Sequence, residues 1–226
     1  MAPAGEDPAP QDSGEDRLAK FYNQRAVLHP EHPLTPQRAE QRELFIARLK
    51  AEGRRGVLEI GTGPGLDGLK FVQAGIQYTG VDLSEGQVRI ATAKGLNVSV
   101  ASARNLPFAN GAFPALWSMS TLLHIPNRDI DGVVRELVRV AAPGAPIAVG
   151  LWSGEDEEVL NPEDQIQPRR FFSRRSDAAL RQIFGRHGKI EEFVTWPEGT
   201  GAESGPGAGH WTQHYQFLIL RAPRRN

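Results

Sequence analysis

The segment Val57-Leu58-Glu59-Ile60-Gly61-Thr62-Gly63-Pro64-Gly65 decides how the rest of the chain is read. A short apolar strand, Val57 to Ile60, runs into three glycines at alternate positions, and an amphipathic stretch follows from Leu66. Glycine at such a turn admits backbone angles closed to other residues and lets a ligand approach with no Cβ in the way. In an open α/β sheet this turn lies at the carboxyl edge of the first strand, where ligands bind. The pattern asks for a nucleotide-type ligand and leaves its kind open.

Before this segment, Met1 to Glu15 is an Ala/Pro/Gly/acidic run that reads as a disordered tail. Asp16 to Val27 predicts a short helix with Leu18, Phe21, Tyr22 and Arg25 on adjacent faces, broken by His29-Pro30-Glu31-His32-Pro33. Thr35 then caps a helix that has Pro36 at its first position and ends at Gly53.

Beyond the segment, helices are predicted at Leu66 to Ala74, at Glu85 to Lys94 behind the cap Ser84, and at Asp129 to Ala142. The last carries Ile130, Val133, Val134, Leu137 and Ala141 on one face. Strands are predicted at Tyr78 to Asp82, Asn97 to Ala101, Ala115 to Ser120 and Pro146 to Trp152. The texture then changes: Gly154 to Pro168 is acidic, lacks an apolar period and reads as a loop. A helix from Ser176 to about His187 follows, then strands at Lys189 to Trp196 and His214 to Arg221. A Gly/Pro-rich connection joins those two directly, so they should pair antiparallel. The expected class is α/β: a Rossmann-like, doubly wound, seven-stranded and mainly parallel sheet with an antiparallel C-terminal strand.

Composition narrows the function. In 226 residues, 26 Lys and Arg nearly cancel 27 Asp and Glu, which leaves no global field for a polyanion and argues against nucleic acid. The absence of cysteine excludes a disulfide framework, thiolate metal sites and a cysteine nucleophile. Six histidines show no paired helical spacing, so no metal is expected. No run is long and apolar enough for a membrane span or signal peptide, and a cytoplasmic location is expected.

The ligand can be sorted by charge. A dinucleotide fingerprint should start at Gly61, yet its third glycine would then be Leu66; the matching run from Gly63 to Gly68 begins two residues late. Asp67 would also set a carboxylate at the helix N-terminus, where a pyrophosphate would be repelled. Asp82, ending the second strand about twenty residues beyond the glycines, is placed to accept both hydroxyls of a ribose. A capping or solvated acid is the plainer reading of Asp82.

Taken together, Val57 to Gly65, Val81-Asp82-Leu83-Ser84, Leu106-Pro107-Phe108, Gly111-Ala112-Phe113, Leu122-Leu123-His124-Ile125-Pro126 and Arg135-Glu136-Leu137 through Pro143-Gly144 resemble the class I S-adenosylmethionine-dependent methyltransferases. More narrowly they are similar to the small-molecule enzymes of the ubiquinone and menaquinone type, over residues 55 to 196. The resemblance implies S-adenosylmethionine as cofactor, with Glu59, Gly61, Thr62, Gly63 and Gly65 under its methionine part. It places Asp82 on the ribose, Leu83 against the adenine, Ser102 and Ala103 by the adenine amino group, and Ser118 and its neighbours on the ammonium. Ser102 stands where the family usually has an acid, so a compensating contact is expected. A single domain over 16–223 is implied, with 1–15 as tail, 16–53 as helical cover, and 154–170 and 197–210 as substrate-side loops.

Methyl transfer to a hydroxyl needs a base in hydrogen-bond reach, whereas an amine or carbanion-like carbon needs alignment alone. His124 is the candidate base, against the plainer reading of a loop histidine; Tyr22, on the covering helix, is the second candidate. Trp152, Glu155, Phe172 and Trp211 are candidate substrate contacts, each with packing or solvation as its alternative. Arg169, Arg170, Arg174 and Arg175 are expected to neutralise the acids from Glu155 to Glu158. A small-molecule acceptor methylated at O, N or activated C is expected, on a monomer or homodimer. An NAD(P)-dependent oxidoreductase and a non-catalytic adenosine-ligand binder are the alternatives.

Overall fold

A computed structural model describes residues 14–28, 34–197 and 214–224. Two helices come first, α1 (Gly14–Leu28) and α2 (Pro36–Ala51), the second capped by Thr35. Then β1 (Gly56–Ile60), α3 (Leu66–Gln73), β2 (Gln77–Asp82), α4 (Glu85–Ala93) and β3 (Val98–Val100) alternate. β4 (Leu116–Met119), a 3-10 turn at Leu122–His124, α5 (Asn127–Val140) and β5 (Pro146–Trp152) continue the pattern. The chain then forms β6 (Glu157–Leu160), β7 (Phe171–Arg174), α6 (Asp177–Gly185), β8 (Lys189–Pro197) and β9 (His214–Arg221).

Seven strands make one sheet in the order β3-β2-β1-β4-β5-β9-β8, with β9 antiparallel to both neighbours and the other four pairings parallel. The chain winds outward from β1 to β3 and then returns to lay β4 against the other side of β1. That reversal is the switch point at which such sheets open a crevice above their strand ends. Both faces are covered because alternate strand residues feed opposite cores. Leu58, Leu116, Ile147, Val149, Leu218 and Leu220 pack with Val133, Val134 and Leu137 of α5, whereas Val57, Trp117, Ala148, Phe217 and Ile219 pack with Phe45, Leu49 and Phe71 of α2 and α3.

Two sequence expectations need correcting. The acidic stretch from Gly154 to Pro168 is not all loop: Glu157–Leu160 pairs antiparallel with Phe171–Arg174, setting Val159 opposite Phe172. Phe171 and Phe172 therefore lie in a strand. Gly14 and Glu15, read as tail, form the first turn of α1, while residues 1–13 lie outside the described part.

Asp67 also has a different job from the one its charge suggested. Its carboxylate accepts from Arg42 Nη1 at 3.0 Å and from Trp117 Nε1 at 3.0 Å, and both charged residues are buried. The pair ties α2 to α3 over the sheet. Asp67→Ala leaves a buried guanidinium without its carboxylate and an indole N–H without its acceptor. The unfolding free energy should fall by about 3–5 kcal/mol, read as a lower denaturant midpoint.

Candidate active site

The strand ends, α1 and the β6–β7 ribbon enclose a cavity of about 790 Å³, within the range of small-molecule and cofactor sites. Its floor is the glycine turn. Gly61 has φ 78° and its N–H donates to the Val81 carbonyl at 2.8 Å; a Cβ there would lie 1.9 Å from Thr121 Oγ1. Gly65 opens α3 at φ 83° and packs on Leu96 and Ala91, away from the cavity wall. Gly63 differs: its φ is 52°, it lines the cavity, and no atom lies within 4 Å of where its Cβ would be. Gly61 and Gly65 are glycines for the fold, and Gly63 leaves room for a ligand.

Asp82 closes the turn from the β2 side. Its Oδ2 accepts from Gly63 N and its Oδ1 from Ser84 N, both at 2.8 Å. Burial pushes its pKa up, against those two hydrogen bonds, which favour the carboxylate. Leu83 and Ala103 line the wall beyond it. Glu59 is buried at the end of β1 and accepts from the Tyr78 hydroxyl at 2.5 Å. Burial, and next the nearby Asp67 charge, hold its pKa well above the carboxylate range. A cation bound at this end would favour the ionised form of both carboxyls, whereas a phosphate would oppose it.

At the other end stands His124. The 3-10 turn that carries it is clamped by the buried Arg175, which donates to the Leu122 and Ile125 carbonyls and to Asn127 Oδ1. The Phe171 carbonyl accepts from His124 Nδ1 at 2.8 Å, which leaves Nε2 of the neutral ring as an acceptor, and the Tyr22 hydroxyl donates to it at 2.9 Å. Burial lowers the His124 pKa from 6.5 to about 4. Between those values the unfolded chain takes up a proton here and the folded chain does not. Stability should therefore drop by about 3 kcal/mol as pH falls through that window, and His124→Gln should remove that part of the pH dependence of unfolding.

Phe172 lies beside this pair and stacks on Trp152 with centroids 6.1 Å apart, both facing the cavity. Arg170 sits between the Phe21 and Phe172 rings, at 4.7 and 5.0 Å, and is locked by a bidentate bond to Asp164. Burial acts to lower its pKa, but Asp164 and Tyr22 together outweigh that and raise it. The cavity end that would take an acceptor thus offers the flat Trp152 and Phe172 rings, the Arg170 guanidinium and one hydroxyl–imidazole pair.

Several expected contacts fall elsewhere. Ser118 is buried with its hydroxyl on the Ile60 carbonyl at 3.0 Å, and the wall is made by Met119, Ser120 and Thr121 instead. Ser102 is not on the wall either; it sits directly behind it, with Ala101, Ala103 and Arg104 in front. Glu155 is exposed and off the cavity, where Glu158 and Leu160 of β6 stand in its place. Trp211 and the rest of 198–213 lie outside the described residues. Among the arginines, Arg174 pairs with Glu157 as expected, Arg170 takes Asp164, and Arg175 serves backbone carbonyls.

Sequence reasoning missed four cavity residues of α1 and α2. Glu15, Arg17, Arg25 and Arg38 all line it. It also missed Asn23, whose Oδ1 accepts from Ser84 Oγ at 2.7 Å and Gly86 N at 2.8 Å, fastening α1 to the start of α4.

This geometry has counterparts among known proteins. Residues 57–144 match a family described as "Methyltransferase domain". Residues 57–144 thus carry a methyltransferase domain of the class I S-adenosylmethionine-dependent type. The match takes in the glycine turn, Asp82, His124 and α5. Norajmaline N-methyltransferase of Rauvolfia serpentina is 36% identical over 124 residues, covering 49% of this chain and 42% of that enzyme. Ubiquinone biosynthesis O-methyltransferase of Bordetella avium is 30% identical over 145 residues, covering 61% and 58%. The methyltransferase domain thus spans about half the length of these relatives. Its fold superimposes on the crystal structure of the [4+2]-cyclase SpnF with a TM-score of 0.70 at 21% identity, covering 96% and 99% of the two chains.

The residues fit that cofactor. A cationic, phosphate-free nucleoside needs carboxylates at the glycine turn and space above one glycine, and Glu59, Asp82 and Gly63 supply them. Among the described residues no cluster of His, Asp and Glu could hold a metal, and no helix is long and apolar enough to cross a membrane.

Proposed function

We propose that the domain transfers a methyl group from S-adenosylmethionine to an N or acidic O–H nucleophile of a planar small molecule. The observation that carries this reading is the placement of the Tyr22–His124 pair and the Trp152–Phe172 stack in the same cavity as the Gly63–Asp82 turn. Asp82 would hold the ribose, Leu83 and Ala103 would flank the adenine, and Glu59 would sit under the cationic end of the methionine. When bound, the cofactor supplies an electrophilic methyl on a sulfonium.

The chain's own residues orient the acceptor and receive its proton. As the acceptor heteroatom takes up the methyl group, its proton would pass to the Tyr22 oxygen while the Tyr22 proton moved to His124 Nε2. A buried imidazole with a pKa near 4 stays neutral and keeps that lone pair free at physiological pH, but it stores a proton weakly. Such a pair suits an amine, a ring nitrogen or a phenol better than an aliphatic alcohol. The relatives named for N- and O-methylation support the same range.

The reading extends to one domain over 16–223, with α1 and α2 as cover and the 154–170 and 197–210 segments on the acceptor side. It also takes the enzyme as cytoplasmic, and as a monomer or homodimer that needs no nucleic acid. Calorimetry with S-adenosylmethionine and S-adenosylhomocysteine, followed by label transfer to a panel of aromatic amines and phenols, tests the activity. Absence of binding of either sulfur ligand at millimolar concentration would refute it. With an accepted substrate, Tyr22→Phe and His124→Gln should each lower kcat by about a hundredfold while changing cofactor affinity little. Unchanged turnover in both variants would remove the pair from the proton path.

A further inference from the structure

Asp82 marks the ribose end of the cavity, so the base of a bound nucleoside must lie beyond it, between Leu83 and Ala103. Leu83, Ala101 and Ala103 give that wall its apolar part, Gln87 and Arg104 add polar groups, and a carboxylate arrives at its edge from α1. Glu15 Oε1 accepts from Ser102 Oγ at 2.6 Å and from Arg104 Nε at 3.0 Å. Ser102 Oγ in turn accepts from Arg104 N at 3.0 Å, and Arg104 Nη1 is held by Asp129 Oδ2 at 2.9 Å. The serine that follows β3 is therefore turned away from a ligand and serves to fix the glutamate. Both bonds to Glu15 fall on Oε1, and Oε2 takes part in neither. Glu15 itself lines the cavity.

We propose that Glu15 is the acceptor for the 6-amino group of adenine. An acid delivered by the covering helix takes over a role that the strand end, carrying Ser102, does not fill. The adenine site is then complete only when α1 is seated, so base recognition and closure of the cover are one event. This rests on the S-adenosylmethionine reading, and its test separates the two.

The probes are S-adenosylhomocysteine and S-inosylhomocysteine, which differ in an amino against an oxo group at position 6 and in the proton that the second carries on N1. The wild-type protein should prefer the adenosyl ligand by tenfold or more, since an oxo group would face a carboxylate. Glu15→Ala should weaken the adenosyl ligand about tenfold and leave the inosyl ligand equal or tighter, so that the preference collapses. Adding Ser102→Asp to Glu15→Ala should restore it, whereas Ser102→Asp alone sets two carboxylates together and should not help.

An equal loss for both ligands would make Glu15 a strut of the cover and overturn the proposal, as would no loss for either. Gln87, whose side-chain oxygen is buried without a partner on the same wall, is the competing acceptor. Loss of the preference in Gln87→Ala and its survival in Glu15→Ala would assign the amino group there instead. If the wild-type protein binds neither ligand, the cofactor reading itself fails and this inference with it.

Discussion

Replacing Gly63 with alanine should leave a folded protein that has lost its cofactor, whereas the same change at Gly61 should cost the fold itself. Both residues have positive φ, so alanine at either costs about 1–2 kcal/mol in backbone strain. They part company in what a Cβ meets. At Gly61 it would overlap Thr121 Oγ1, Cγ2 and Cβ at 1.9, 2.6 and 2.7 Å, and the Thr121 hydroxyl is itself committed to the Met119 carbonyl. Overpacking there brings the total to about 2–5 kcal/mol, visible as a lowered midpoint of unfolding. At Gly63 the methyl meets no protein atom and projects from the cavity floor, so S-adenosylhomocysteine should bind about tenfold to a hundredfold more weakly to a normally folded chain. Unimpaired binding by Gly63→Ala would mean that the cofactor does not lie over this turn.

Asp82→Ala should weaken cofactor binding by about a hundredfold or more. The carboxylate accepts from Gly63 N and Ser84 N, so its removal loosens the turn and the start of α4 together, besides removing the acceptor for the ribose. Hydrogen bonds to a charged group are individually worth about 1.5–3 kcal/mol, so the loss of the ribose pair alone accounts for the factor. Asp82→Asn keeps one acceptor oxygen and should fall between. Calorimetry decides: affinity preserved in Asp82→Ala would place the ribose elsewhere.

Most of the sheet is legible in the chain because each strand carries its own signal. The His214–Arg221 strand was read with the bounds it has, since it is apolar on both faces and flanked by breakers. The β6–β7 ribbon was not, because four residues with two acids show no period; its order comes from pairing with Phe171–Arg174, a long-range fact. The same distinction divides the site. Glycines, Asp82 and His124 sit at strand ends, where topology alone assigns them a place. Glu15 and Asn23 reach their partners across 87 and 61 residues of chain, from a helix whose local pattern speaks only of which side is apolar. Ser118 lies one step below the wall that its neighbours Met119 and Ser120 form, because in a strand one residue is the difference between the wall and the interior.

Asn23 has a bearing on timing. Its side chain holds Ser84 and Gly86 at the first turn of α4, two residues past the carboxylate assigned to the ribose. The helix that roofs the cavity is thus hooked onto the element that follows the nucleoside seat. If a ligand enters or leaves beneath α1, that hook has to open first, and spent and fresh cofactor would share the same wait. The pace of repeated turnover would then follow how long two hydrogen bonds to one asparagine survive, a clock separate from the chemistry at the far end of the cavity.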